Sequence, residues 1–256
     1  MDSVTVEICC GSYYDALSAF RGGAHRIELN SALFLGGLTP SLSELILTKQ
    51  NTSLKVIAMV RPRGAGFCYG PEDFEQMMMD CRLMMEHGAD GIAFGCLNPD
   101  FSIQTDQTGQ MISLIKSFHG EAVFHRAFDC VKDPFVSARQ LISLGADRIL
   151  TSGLKNTAPE GWRNLKGLNR TFGDQIEILA GSGINAGNAG DLVEKTGITQ
   201  IHSSCKCWHL DPTTAADGVT YQYAGAGHDM EYEAVSEELV RALIQSVKQE
   251  EEKYDA

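Results

Sequence analysis

The feature that most constrains this chain is a unit that recurs eight times. Short apolar runs stand at VTVEIC (4–9), HRIEL (25–29), KVIAMV (55–60), GIAFG (91–95), AVFHRAF (122–128), RILTS (148–152), IEILAG (176–181) and TQIHS (199–203). Each has the length of one strand and is too short for a helix. Between them lie segments with helical periodicity and helix-start signals. Ser12 with Asp15 reads as a capping box, and Thr39-Pro40 and Asp133-Pro134 read as an N-cap followed by proline. Gly70-Pro71-Glu72-Asp73 places two acids in a first turn, where the helix dipole favours them. The helix exits repeat as well. RGGAHRIEL, HGADGIAFG, LGADRILTS and KTGITQIHS each set a glycine where a helix ends left-handed and a strand begins. Eight strand–helix units in 256 residues, with no Pro/Ser-rich linker, predict one (β/α)8 TIM barrel spanning 1–256 as a single domain. An open doubly wound sheet is the alternative; closure suits eight units at this length better. The longest irregular stretch, 205–234, precedes a closing helix at 236–249.

Composition narrows the function. The chain is 43% hydrophobic and 21% charged, enough apolar material for a core. No apolar run approaches the roughly 18 residues of a membrane span, and MDSVTVEICC lacks a basic leader region, so no membrane partner and a cytoplasmic address are expected. A net charge of −12 argues against nucleic acid. Eight cysteines without a regular framework suit a reducing compartment. Barrels of this type associate through helix faces, and a homo-oligomer is expected.

In such barrels ligands sit at the C-terminal strand ends, and the polar residues of this chain gather there. Strand 1 ends with Glu7 and Cys9, strand 2 with Glu28 and Asn30, strand 3 with Arg61 and Arg63, and strand 5 with His125, Arg126 and Asp129. Strand 6 adds Ser152, strand 7 Gly181, Ser182 and Gly183, and strand 8 His202 and Ser203. Such groups are costly in a core unless paired or functional.

Taken in order, VEIC, GAHRIELN, GGLTPS, VRPRGAGFCY, FHRAFD, RILTSG, AGSGI and IHSS resemble the motif set of the CutC family, from about residue 4 to 206 and again in the final helix. The resemblance implies a TIM barrel associated with copper homeostasis and copper-ion binding. It also implies a copper(I) ligand at Cys9, paired in the family with a cysteine in the RIELC motif. Here that second position is Asn30. With one thiolate missing, Cys9→Ser is expected to change copper(I) affinity less than about tenfold, ~1.4 kcal/mol. AGSGI also replaces the more usual triple glycine.

Read from the residues themselves, the mouth suggests a second class of function: acid/base chemistry on a small anionic, phosphorylated or carboxylated, sugar-like substrate. His125 is the candidate acid or base, oriented by Asp129 or Glu28, with Glu7 and Glu28 as further catalytic carboxylates. Residues 125, 127 and 129 share a strand face if no bulge intervenes, which turns Arg126 outward. Arg61 and Arg63 either fork onto an anion or pair internally with Glu7 and Glu28. Gly181–Gly183 and the His202-Ser203 turn lie where many TIM barrels bind phosphate, or are simply tight turns. Glu7, Glu28 and His125 together also suit a divalent metal, so the cofactor is copper(I) by resemblance, or a divalent ion, or none. Cys205-x-Cys207-x-His209 carries further metal donors, the Met77–Met79 and Met84–Met85 runs read as packing, and no strand-end lysine supports Schiff-base chemistry.

Overall fold

The computed structural model of the protein describes residues 4–254, with side chains through Lys248. Its centre is a closed barrel of parallel strands in chain order. They are β1 (Thr5–Cys10), β2 (Arg26–Leu29), β3 (Lys55–Met59), β4 (Gly91–Phe94), β5 (Glu121–Phe124), β6 (Arg148–Thr151), β7 (Glu177–Gly181) and β8 (Gln200–Ser203). Closure is made by β1 against β8, which sets Glu7 beside His202, while β2 sets Arg26 on the other side of Glu7. The helices outside are α1 (Tyr13–Arg21), α2 (Leu42–Asn51), α3 (Pro71–Glu86), α4 (Thr105–Ser117), α5 (Pro134–Leu144), α6 (Ala158–Phe172), α7 (Ala189–Thr196) and α8 (Glu237–Tyr254).

The repeated exits behave as their glycines require. Gly23, Gly88, Gly145 and Gly197 all have φ between +69° and +94°, a region open to glycine and strained for other residues. Helix entries differ in detail. Ser12 accepts from the Asp15 N–H, but the Asp15 carboxylate turns away, to the N–H groups of Gly11 and Val235. The α2 box is Ser41 with Glu44 rather than Thr39-Pro40; Thr39 Oγ1 instead accepts the Arg61 N–H at 3.0 Å.

Two apolar layers result from strand alternation. The larger packs outward-facing residues such as Val56, Ala58, Ile92, Phe94 and Phe124 against the helices. A smaller cluster of Ile57, Met59, Ala93, Val123, Leu150 and Leu179 fills the barrel interior. Met77, Met84 and Met85 are buried against the outer core, so most of the methionine run is packing. The N-terminal end of the barrel is closed by charge. Arg26 Nη2 donates to Gln200 at 2.6 Å, and Arg148 meets Glu121 at 3.1 Å and Glu177 at 2.5 Å.

Two stretches depart from the sequence reading. AVFHRAF is not strand throughout: β5 stops at Phe124, and Arg126–Cys130 forms a 3-10 turn. The 205–234 stretch is partly ordered. Strand β9 (Lys206–Leu210) pairs antiparallel with β12 (Glu231–Val235), and β10 (Ala215–Ala216) with β11 (Val219–Thr220). The Asp15 carboxylate, accepting from Val235 at 2.8 Å, ties this arm to the first helix.

Candidate functional site

A cavity of about 400 Å3 opens at the C-terminal strand ends, where β1, β2 and β8 contribute Cys9, Glu28 and His202. One donor atom from each of these three residues lies within 4.8 Å of the others. It is the one such metal-capable group of three or more among the described residues.

His202 is held from behind. Its Nδ1 donates to Glu7 Oε1 at 2.9 Å, and the other Glu7 oxygen meets Arg26 Nε at 2.6 Å. Burial opposes ionisation of Glu7, but the His202 hydrogen bond and the Arg26 charge outweigh it and hold its pKa at about 2. A carboxylate so acidic only accepts, which fixes the proton on Nδ1 and turns Nε2 toward Cys9. Burial also disfavours the His202 cation, yet the contacts with Cys9 and Glu7 and the Glu28 charge push its pKa well above the usual value. Cys9 is raised by burial despite His202, and Glu28 likewise. Asn30 completes the group: its Nδ2 donates to Glu28 Oε2 at 2.9 Å and lies 3.6 Å from Cys9 Sγ. Asn30 Oδ1 is buried with no partner among the described residues.

His125 stands across the cavity and is a different kind of group. Its Nδ1 accepts from the Ala127 N–H at 3.1 Å, so Nε2 carries the proton. Burial and then the Arg61 charge lower its pKa to about 3, which keeps it neutral near pH 7. The 3-10 turn separates it from Asp129. That carboxylate accepts instead from Thr151 Oγ1 at 2.5 Å, from the N–H groups of Ser152 and Leu154, and from Arg126 Nε at 2.8 Å. Asp129 therefore ties the end of β6 to the turn rather than orienting His125.

The other expected residues divide. Arg61, Arg126, Ser182, Gly183 and Ser203 line the cavity with His125; Glu7, Arg63, Asp129, Ser152 and Gly181 do not. Arg126 is thus not turned outward. Arg61 spends both terminal nitrogens on backbone carbonyls, Nη1 on Leu35 and Gly37 at 2.9 Å and Nη2 on Ala65 at 2.6 Å. It clamps two loops instead of presenting a free fork, and neither it nor Arg63 pairs with Glu7, whose partner is Arg26. Arg63 binds Asp73 at 2.8 Å. Glu7, Glu28 and His125 do not form a common donor set: His202 and Cys9 take the places of Glu7 and His125. In the arm, Cys207 Sγ lies 3.3 Å from His209 Nε2, while Cys205 bonds to Ser203.

Residues 4–207 match the profile of the CutC family. The chain belongs to that family. A Treponema denticola CutC family protein is 45% identical over 226 residues, 88% of this chain and 91% of the relative. The human copper homeostasis protein cutC homolog is 38% identical over 201 residues, 78% of this chain and 73% of its own length. Among solved structures, a Streptococcus agalactiae CutC superposes with a TM-score of 0.74 at 29% identity, covering 78% of this chain and 98% of that one. A phosphoribosylanthranilate isomerase from Pyrococcus furiosus, at 16% identity and TM-score 0.57, shares the fold alone. No helix among the described residues is long and apolar enough to cross a membrane.

Cys9 and Asn30, the two positions that the resemblance singled out, lie together beside Glu28 and His202. Sequence reading placed His202 in a phosphate turn and missed its pairing. The signal was the strand register: Gln200 and His202 share one face of β8, with His202 opposite Glu7.

Proposed function

We propose that this CutC family member serves copper homeostasis by holding a copper ion, as cargo, among Cys9, His202 and Glu28. The observation that carries this reading is the Glu7–His202 pair. A metal-binding imidazole characteristically gives its other N–H to a carboxylate, which fixes the ring and raises its basicity. Cys9 supplies the soft sulfur donor that copper(I) prefers. One sulfur, one imidazole and one carboxylate make a mixed set, weaker for copper(I) than two thiolates and open to divalent ions. Binding must displace protons from Cys9 and His202, so affinity falls as pH falls.

Asn30 explains the difference from the expected two-thiolate site. Its amide sits 3.6 Å from Cys9 Sγ, so a cysteine there would bring a second sulfur beside the first. The neighbouring His202 and Glu28 also change the expectation for Cys9. With two further donors at hand, Cys9→Ser should lower copper affinity by more than about tenfold. Anaerobic competition titration of wild type, Cys9→Ser, His202→Asn and Asn30→Cys tests the reading. Loss in the first two variants and tighter copper(I) binding in the third are expected. Equal affinities in wild type, Cys9→Ser and His202→Asn would refute it.

A further inference from the structure

The same cavity has a second polar end that the metal reading does not use. The turn after β7 and the turn after β8 are locked together by Ser203 Oγ, which donates to the Ile184 carbonyl at 2.6 Å. Ser182 and Gly183 have consecutive positive φ values of 80° and 71°. The turn is held in that form by the Ser182 hydroxyl on the Asn156 carbonyl and the Asn188 amide on the Gly183 carbonyl. Successive N–H groups of a tight turn are a known form of anion-binding concavity. Among the described residues nothing accepts from the N–H groups of Gly183, Ile184 or Ser204, and all three residues line the cavity. Side chains give an independent sign. His125 Nε2–H is a buried donor with no partner among the described residues, on a cavity-lining residue only 3% exposed. Asn30 Oδ1 is a buried acceptor in the same condition.

Unmet buried donors and acceptors are costly in a finished protein, so they point to a ligand that meets them. We propose that the cavity binds a small phosphomonoester, its phosphate on the N–H groups of Gly183, Ile184 and Ser204 and its hydroxylated skeleton toward His125 and Asn30. Donors from two separate turns suit a tetrahedral group with several oxygens better than a planar carboxylate. A volume of about 400 Å3 exceeds what phosphate alone fills and falls in the range of metabolite pockets. Leu33, Met59, Phe67 and Leu150 supply the apolar wall that such pockets carry.

The test uses the full-length, metal-free protein with chelator present, so that it stands or falls apart from copper. Glycerol 3-phosphate, inorganic phosphate and glycerol are titrated into 15N-labelled wild type and Ser204→Asp, which sets a carboxylate at the subsite. Amide shifts centred on Gly183, Ile184 and Ser204 should saturate with a Kd near 1 mM or below for glycerol 3-phosphate. Inorganic phosphate should bind more weakly and glycerol should not bind. Ser204→Asp should lose affinity at least about tenfold; an unchanged melting temperature and amide spectrum show that it folds. Should it not fold, His125→Asn, which removes the Nε2–H donor and the far edge of the ring while its Oδ1 can keep the Ala127 contact, should weaken glycerol 3-phosphate more than inorganic phosphate. Overturning results are shifts confined to surface lysines and arginines, no saturation by about 20 mM, or equal affinities in wild type and the folded variant.

Discussion

His125→Asn should flatten the acid side of the stability curve by a calculable amount. The folded imidazole takes up its proton only near pH 3, because burial and the Arg61 charge penalise the cation, against an ordinary value of 6.5. Between those values unfolding takes up a proton, so stability rises with pH and is lost as pH falls through 6.5. At pH 5 the unfolded histidine is favoured by about 1.5 pH units, or about 2 kcal/mol at 1.36 kcal/mol per unit; at pH 7 by almost nothing. Asparagine suits the experiment because its Oδ1 can take the Ala127 N–H that Nδ1 now accepts. Urea unfolding of both proteins at pH 7 and pH 5, at one ionic strength, gives the comparison. Carboxylates titrate in both and cancel in the difference. Wild type should lose about 2 kcal/mol more than the variant between the two pH values. Parallel losses would mean that His125 is solvated or charged in the folded protein, and the tautomer argument would fail with it.

Glu7→Gln should weaken metal binding roughly 10–100-fold, since it removes the anion that orients His202; competition titration reads this, and an unchanged affinity counts against the cluster. Asp129→Asn should cost about 2 kcal/mol in urea unfolding, because the new NH2 faces donors that now meet a carboxylate, while copper affinity stays at the wild-type value. Gly161→Ala should cost at least about 3 kcal/mol: a Cβ there falls 1.9 Å from the Ser152 carbonyl oxygen, and backbone on both sides cannot give way. A variant as stable as wild type would show that α6 and the end of β6 are not in contact.

The barrel was legible because its signals are local and repeated. Apolar runs and left-handed glycines occur within a few residues of each other, and Gly23, Gly88, Gly145 and Gly197 did what such residues do. The ends of elements were less legible, for a physical reason. VFHRAFD has strand composition, yet the His125 ring captures the Ala127 N–H and starts a turn, a side-chain–backbone contact that periodicity does not register. The site divided along the same line. Residue types at the mouth were readable, and Cys9, Glu28, His125 and Ser182 do face the cavity. Pairings were not, since they join distant segments: Arg26 rather than Arg61 meets Glu7, and Asp129 serves β6 rather than His125.

The order of residues along the chain has a consequence for biosynthesis. Cys9 and Glu28 leave the ribosome early, whereas His202 follows Glu7 by 195 positions, and the Val235 N–H that secures the arm to Asp15 comes 220 positions after it. Contacts so far apart form late, once loop closure is met by most of the fold. A growing chain therefore exposes its early thiols, Cys9 and Cys10, without the imidazole, the turns or the arm that enclose the first of them. During synthesis those thiols are open to whatever soft metals and oxidants surround the ribosome, and protection arrives only with the last strand.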